Sequence, residues 1–218
     1  MSDVLPTPCP ANWEYEDRPN YNTRLTARKT ALLKQLRRLL NSQKAAVAAD
    51  TRIVHGLMFK GLTPEDFDYF AGHYRGEQFR CLMNYEVGIQ GDKRVGHPAA
   101  TIPMEMNAFT LSVGQVVHQL DYHYSVPNAI FSPAHKLLRA IELAAAVFVY
   151  FLEIHPYANG NGHMARWILM ALLGRHDIYL NASFDLHPRP TEPLYSNAIV
   201  QYRNNNKAPL HILLMECL

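Results

Sequence analysis

Apolar residues recur at helical spacing along most of this chain. Leu25, Leu32, Leu33, Leu36, Leu39 and Leu40 form one stripe, and Arg24, Arg28, Lys29, Lys34, Arg37 and Arg38 supply the polar side. That pattern predicts one amphipathic helix over 23–49, whose basic residues are its solvated face. A shorter helical stretch covers 52–59. "LTPEDFDYF" carries the signals of a helix start, with Thr63 as N-cap, Pro64 at the first helical position and acids in the first turn. A helix over about 103–120 follows later. Ser132 and Pro133 then open a long helix reaching Ile154, in which Ala144, Ala145 and Ala146 allow close helix packing. "MARWILMALLG" is apolar throughout and ends at Gly174, a C-cap residue. Helical stretches over about 193–203 and from 210 onward complete the pattern.

Two regions break it. Residues 1–22 are rich in Pro, Asn and Asp without periodicity, which predicts an extended arm or cap. Between 80 and 101, Tyr85, Val87 and Ile89 alternate, "QGDK" supplies a turn and Arg94-Val95 begins a return strand. The expectation is a mainly α fold with a single β-hairpin at about 83–97. A lone hairpin is marginal by itself, so it packs on helices or serves contacts.

With 218 residues, 48% of them hydrophobic, the chain can bury its own core without a structural metal. The formal charge of +2 lacks the concentrated basic face of a nucleic-acid binder. Cys9, Cys81 and Cys217 are scattered and odd in number, which is neither a disulfide framework nor a zinc pattern. A reducing, cytoplasmic setting is therefore the default expectation. No apolar leader is visible at the N-terminus, and the longest apolar run, 143–152, falls far short of the ~20 residues a membrane span needs. A soluble protein with no membrane partner is expected.

The candidate chemistry sits in "HPYANGNGHMAR", 155–166. Pro156 ends the preceding helix, leaving His155 at the mouth of a loop. Gly160 and Gly162 flank Asn161, so the backbone can turn its N–H groups into one concavity at the positive end of the next helix. That predicts an anion site, with a phosphate chain as ligand. His163 and Arg166 lie three apart on one helix face, and side chains tilt toward the helix N-terminus, which carries the guanidinium back toward the anion. His155, at the mouth of the loop, is the one side chain here whose unperturbed pKa suits general-base work near neutrality. His118, His123 and His135 show no metal-ligand spacing.

This stretch resembles the Fic (Fido) family signature HPFx(D/E)GNGRxxR. "IVHGLMF", "AGHYRG", "HPAATIP", "ELAAAVFVYFLEI" and "EPLYSNAIVQYRNNNKAPL" fall in the family's order, so the resemblance covers roughly 50–218. It implies a Fic-type helical bundle with a hairpin flap, whose enzymes move AMP from ATP onto a Ser, Thr or Tyr hydroxyl of a target protein. By position, His155 would take the hydroxyl proton. Gly160, Asn161 and Gly162 would cradle phosphates, with Asn161 near the α-phosphate, and Arg166 would hold the distal phosphates. The flap, 83–97, would pair with an extended target segment. Tyr195 and Tyr202 fall near the nucleotide base by the same analogy, or in the core.

Departures from the signature qualify these expectations. Tyr157 replaces Phe, which is mild if its hydroxyl finds a partner. Asn159 replaces the acid that holds Mg²⁺ in the family, so Mg²⁺ or Mn²⁺ would be weakly held. His163 replaces a permanent cation with a side chain mostly neutral at pH 7. Two readings stay open: an active transferase, or a nucleotide-binding relative with weakened chemistry that acts as a protein-binding module. Related enzymes transfer UMP, phosphate or phosphocholine, so the donor is open too. The family's inhibitory Ser/Thr-x-x-x-Glu-Gly/Asn string is absent, and "TIPME" at 101–105 comes nearest. Restraint would come from a separate inhibitor protein or from the weakened site. A toxin, an effector delivered into another cell and a housekeeping modifier share these features.

Overall fold

The computed structural model describes residues 7–89 and 92–218. Eight α-helices follow one another among them: α1 (Tyr21–Arg38), α2 (Asn41–Ala49), α3 (Arg52–Phe59), α4 (Ile102–Ser125), α5 (Pro133–Ile154), α6 (Asn161–Leu173), α7 (Leu194–Arg203) and α8 (Ala208–Glu216). The centre is α6, apolar on nearly every face. It packs on α5 and α2, and α5 packs in turn on α4 and α8. Phe148, Phe151, Trp167, Ile168 and Leu169 are all buried there, and each such side chain removed from water contributes about 1.5–3 kcal/mol. Ser132 caps α5, its hydroxyl accepting from the His135 N–H, with Pro133 in the first turn.

The helix expected over 23–49 is two helices. Leu39 and Leu40 are extended, and the chain restarts where the Leu40 N–H donates to Gln43 Oε1 at 2.9 Å. Tertiary contacts override the continuous stripe. Lys44 is buried and donates to the Gly174 carbonyl at 2.7 Å, and Arg175 reaches the Asn41 carbonyl. These bonds turn α2 onto the end of α6, where Trp167 Nε1–H donates to the Val47 carbonyl.

The helix expected after Thr63 does not form beyond a single 3-10 turn, Asp68–Phe70. Thr63 Oγ1 instead donates to Asp68 Oδ1 at 3.0 Å, and Asp66 takes a left-handed conformation. Phe67, Phe70, Tyr69 and Phe79 then collapse into an aromatic cluster with Trp13 and Tyr85. Among the described residues no strand forms in the region expected to be a hairpin. The Ile89–Asp92 pair makes one antiparallel bridge, and residues 90–91, where the "QGDK" turn is expected to begin, lie outside the described residues.

The cysteine expectation is overturned. Cys9 and Cys81 are disulfide bonded, with Cα atoms 5.5 Å apart, and Cys217 is free and buried. A separation of 72 residues carries no spacing signal. The bond follows from the arm's path, because Trp13 is buried against His55, Phe59 and Phe70 and donates to the Leu62 carbonyl at 2.9 Å. The reducing-compartment default loses its support. Among the described residues no helix is long and apolar enough to cross a membrane.

Candidate active site

Pro156 stops α5, and His155 turns the chain in a left-handed conformation (φ 54°, ψ 57°). A non-glycine residue there costs about 1–2 kcal/mol, so something must hold it. Arg75 does. Its Nε and Nη2 donate to the His155 carbonyl at 3.0 and 2.8 Å, Nη2 also to His97, Nη1 to Tyr85, and its backbone N–H to Pro156. The side chain is wholly buried, and burial pulls its guanidinium down to about 10. One buried cation thus ties the motif loop to the segment leading into the flap.

The loop is braced from within. Tyr157 is buried, its ring stacks on His55 at 3.7 Å, and its hydroxyl finds a partner in Thr51 Oγ1 at 2.8 Å. His55 Nδ1 accepts from the Gly72 N–H, which leaves Nε2–H to donate to the Asn159 carbonyl at 3.0 Å. Burial lowers the His55 pKa to about 3, so the ring is neutral. Gly160 sits at φ 81°, and a Cβ there would overlap the Phe59 ring.

The Asn161 side chain folds back on its own loop, accepting from the Tyr157 N–H and donating to the Tyr157 carbonyl, both at 2.8 Å. Its amide is thus a brace, while its backbone opens α6. Among the described residues no hydrogen bond reaches the N–H groups of Asn161 and Gly162, the free donors expected in the first turn of a helix.

His155, Gly160, Gly162, His163, Arg166 and Tyr195 line one cavity of about 1050 Å³. The size suits a nucleotide-scale ligand. His155 Nδ1–H donates to the Leu152 carbonyl at 3.2 Å, leaving Nε2 as the acceptor. Burial, with Arg75 and Arg203 nearby, lowers its pKa to about 4 and keeps it a neutral base. Arg166 is buried, bonded to the Leu186 carbonyl and to the Tyr195 hydroxyl, with no carboxylate partner among the described residues. His163 is also buried, 3.2 Å from His187 Nδ1, and burial holds its pKa well below the ordinary value. It adds no charge to the cavity. Tyr195 lies on the wall, whereas Tyr202 packs against His211 and Lys207.

A hard cation does not fit at Asn159. Its Nδ2 donates to the Trp13 carbonyl at 2.6 Å and to Glu14 Oε2 at 3.3 Å, while its Oδ1 accepts from the Gly160 N–H at 2.6 Å. A cation asks for several free oxygens. Among the described residues no group of three His, Cys, Asp or Glu side chains is placed to hold a metal.

A family model described as the Fic/DOC family matches residues 48–173, more than half of the chain. The chain belongs to the Fic/DOC family. No match to a curated protein was found. The Fic/DOC match runs from the end of α2 through α6, so it contains the motif loop and its Arg75 clamp. Tyr15 and Glu16 of the arm, with Tyr195 and Arg203 of α7, lie outside the match and still line the cavity.

Several residues escaped the sequence reading. Arg75 was visible only as part of "AGHYRG", and nothing marks an arginine as buried when its partners are carbonyls far along the chain. Arg203 was likewise silent. Its side chain is 4% exposed and lies 3.4 Å from Asp92 and 4.0 Å from Glu153, and its neighbour in space Arg94 donates to the Arg203 carbonyl at 2.7 Å. The flap segment is latched to the end of α7 through these contacts. Thr101 and Glu105 lie at the start of α4, where Glu105 meets His97 at 3.4 Å rather than Arg166.

Proposed function

We propose that this cavity binds ATP and that AMP passes from it to a Ser, Thr or Tyr hydroxyl of a target protein seated along the flap segment. The observation that carries the reading is one juxtaposition: a neutral histidine and, among the described residues, unbonded helix N–H groups and a buried arginine without a carboxylate line the same cavity.

The step balances without further reagents. The hydroxyl oxygen attacks the α-phosphorus as His155 Nε2 takes its proton, the bond from the α-phosphorus to the bridging oxygen breaks, and pyrophosphate leaves. Arg166 and the N–H groups of Asn161 and Gly162 are placed for the charge that builds on the phosphate oxygens, the usual source of catalysis in such transfers. Membership in the Fic/DOC family supports a transferase in general. The choice of AMP rests on the motif.

A second reading has its own support. The occupied Asn159 and uncharged His163 weaken the phosphate site, which favours a nucleotide-binding module that transfers slowly or not at all. Intact-mass spectrometry after incubation with ATP separates the two. Self-modification by one adenylyl group in the wild type, reduced about a hundredfold or more in His155→Ala, is expected for a transferase using that base. ATP binding without any adduct would leave the binding module standing.

A further inference from the structure

The arm over 9–18 forms one wall of the cavity, and it is fastened along its length. Cys9 is bonded to Cys81, Trp13 is buried and holds the Leu62 carbonyl, and Arg18 Nε donates to the Thr63 carbonyl at 2.8 Å. Between these fastenings Tyr15 and Glu16 line the cavity, and the Tyr15 ring meets the His163 ring edge-on at 5.6 Å.

Asn159 is where the loop meets this arm. Both hydrogen-bonding ends of its amide are in use, and the end facing the arm is the N–H donor. A carboxylate at 159 would present an acceptor to the Trp13 carbonyl and a negative charge to Glu14. Such a pairing is repulsive, whereas the amide donates to both. The residue that departs from the metal-binding acid is therefore the residue the arm requires.

We propose that the arm occupies the place of a divalent cation beside the phosphate site, so that a phosphate ligand binds this cavity with no metal at Asn159. Charge on the ligand is then met by Arg166 and by the N–H groups at the start of α6. The arm itself brings no cation to the cavity, since its lining residues there are Tyr15 and the carboxylate-bearing Glu16. The ligand half of this inference rests on the nucleotide reading above, and the arm half does not.

Two titrations decide it. In calorimetry, ATP is expected to bind the oxidised protein with dissociation constants that agree within about twofold in EDTA and in Mg²⁺, and tightening by Mg²⁺ of about tenfold or more overturns the proposal. In the second, Mn²⁺ is followed by electron paramagnetic resonance against the protein without nucleotide. The wild type is expected to bind none at this site, and Cys9→Ser combined with Asn159→Asp, which removes the arm's covalent fastening and restores a carboxylate, is expected to bind it. Mn²⁺ held by the wild type and lost on Asn159→Ala overturns the proposal, as does a double variant that binds none. Asn159→Asp alone, assayed after reduction of the disulfide, gives the same comparison should the double variant fold poorly. If ATP binds under neither condition the nucleotide reading fails, and the Mn²⁺ pair still decides the role of the arm.

Discussion

Arg75 and Arg166 are both buried arginines near the motif loop, and they do opposite things. Arg75 spends its guanidinium on the carbonyls of Tyr85, His97, Ile154 and His155, with Glu86 at 3.6 Å for its charge. Arg166 meets one carbonyl and one hydroxyl, has no carboxylate beside it among the described residues, and lines the cavity. A guanidinium carries five N–H donors. Burial of a cation therefore does not mark a site by itself; unspent donors facing open space do.

The comparison breaks most visibly at Arg75. Arg75→Ala removes the clamp on a left-handed histidine and orphans several buried carbonyls, and the expected loss is about 3–5 kcal/mol. Thermal unfolding should show this as a fall of roughly 10 °C for a chain of this size. If Arg75→Ala unfolds like the wild type, the division between a structural and a ligand-facing arginine is mistaken.

A smaller effect, per group, comes from the histidines the loop buries. His55 and His155 are held at about 3 and about 4 by burial, and His163 well below its ordinary value for the same reason. The unfolded chain binds these protons near pH 6.5 and the folded one does not. Stability is therefore full above that pH and is lost as pH falls toward the folded values. The slope is at most about 1.4 kcal/mol per pH unit for each histidine. Denaturant unfolding at pH 7 and pH 5 measures it, and His155→Gln should lower the slope by one group's share. A base held at about 4 also predicts transfer activity that is flat from neutrality down to about pH 5 and falls below that.

Local signals made most of the fold legible. The Ser132-Pro133 start and Pro156 stop of α5, and Gly160 and Gly174 bounding α6, are chemical constraints of neighbouring residues, and the helices begin and end there. The misses share a cause. The break at Leu39–Leu40 depends on Lys44 meeting Gly174, the irregular segment after Thr63 on aromatic packing, and the disulfide on an arm that returns to the core, all of them contacts across many tens of residues. The same holds at the site. The loop residues of the motif could be read from their order, whereas Arg75, Arg203 and the engagement of Asn159 by Trp13 could not, because no periodicity records which carbonyl a side chain reaches.

The finest test lies at Arg166. Arg166→Gln keeps an N–H donor for the Leu186 carbonyl and removes a buried charge that has no carboxylate partner among the described residues, so stability should change by no more than about 1 kcal/mol in either direction. ATP affinity should fall at least about tenfold, since the cavity would lose the buried cation beside the α6 N–H donors and keep those donors with Arg203 on its wall. Calorimetry and thermal unfolding on the same preparation read the two quantities together. A large loss of stability would place Arg166 with Arg75 as a brace. Unchanged affinity would mean that the anion is held without Arg166, by the N–H groups of α6 and the other cations of the wall, Arg203 among them.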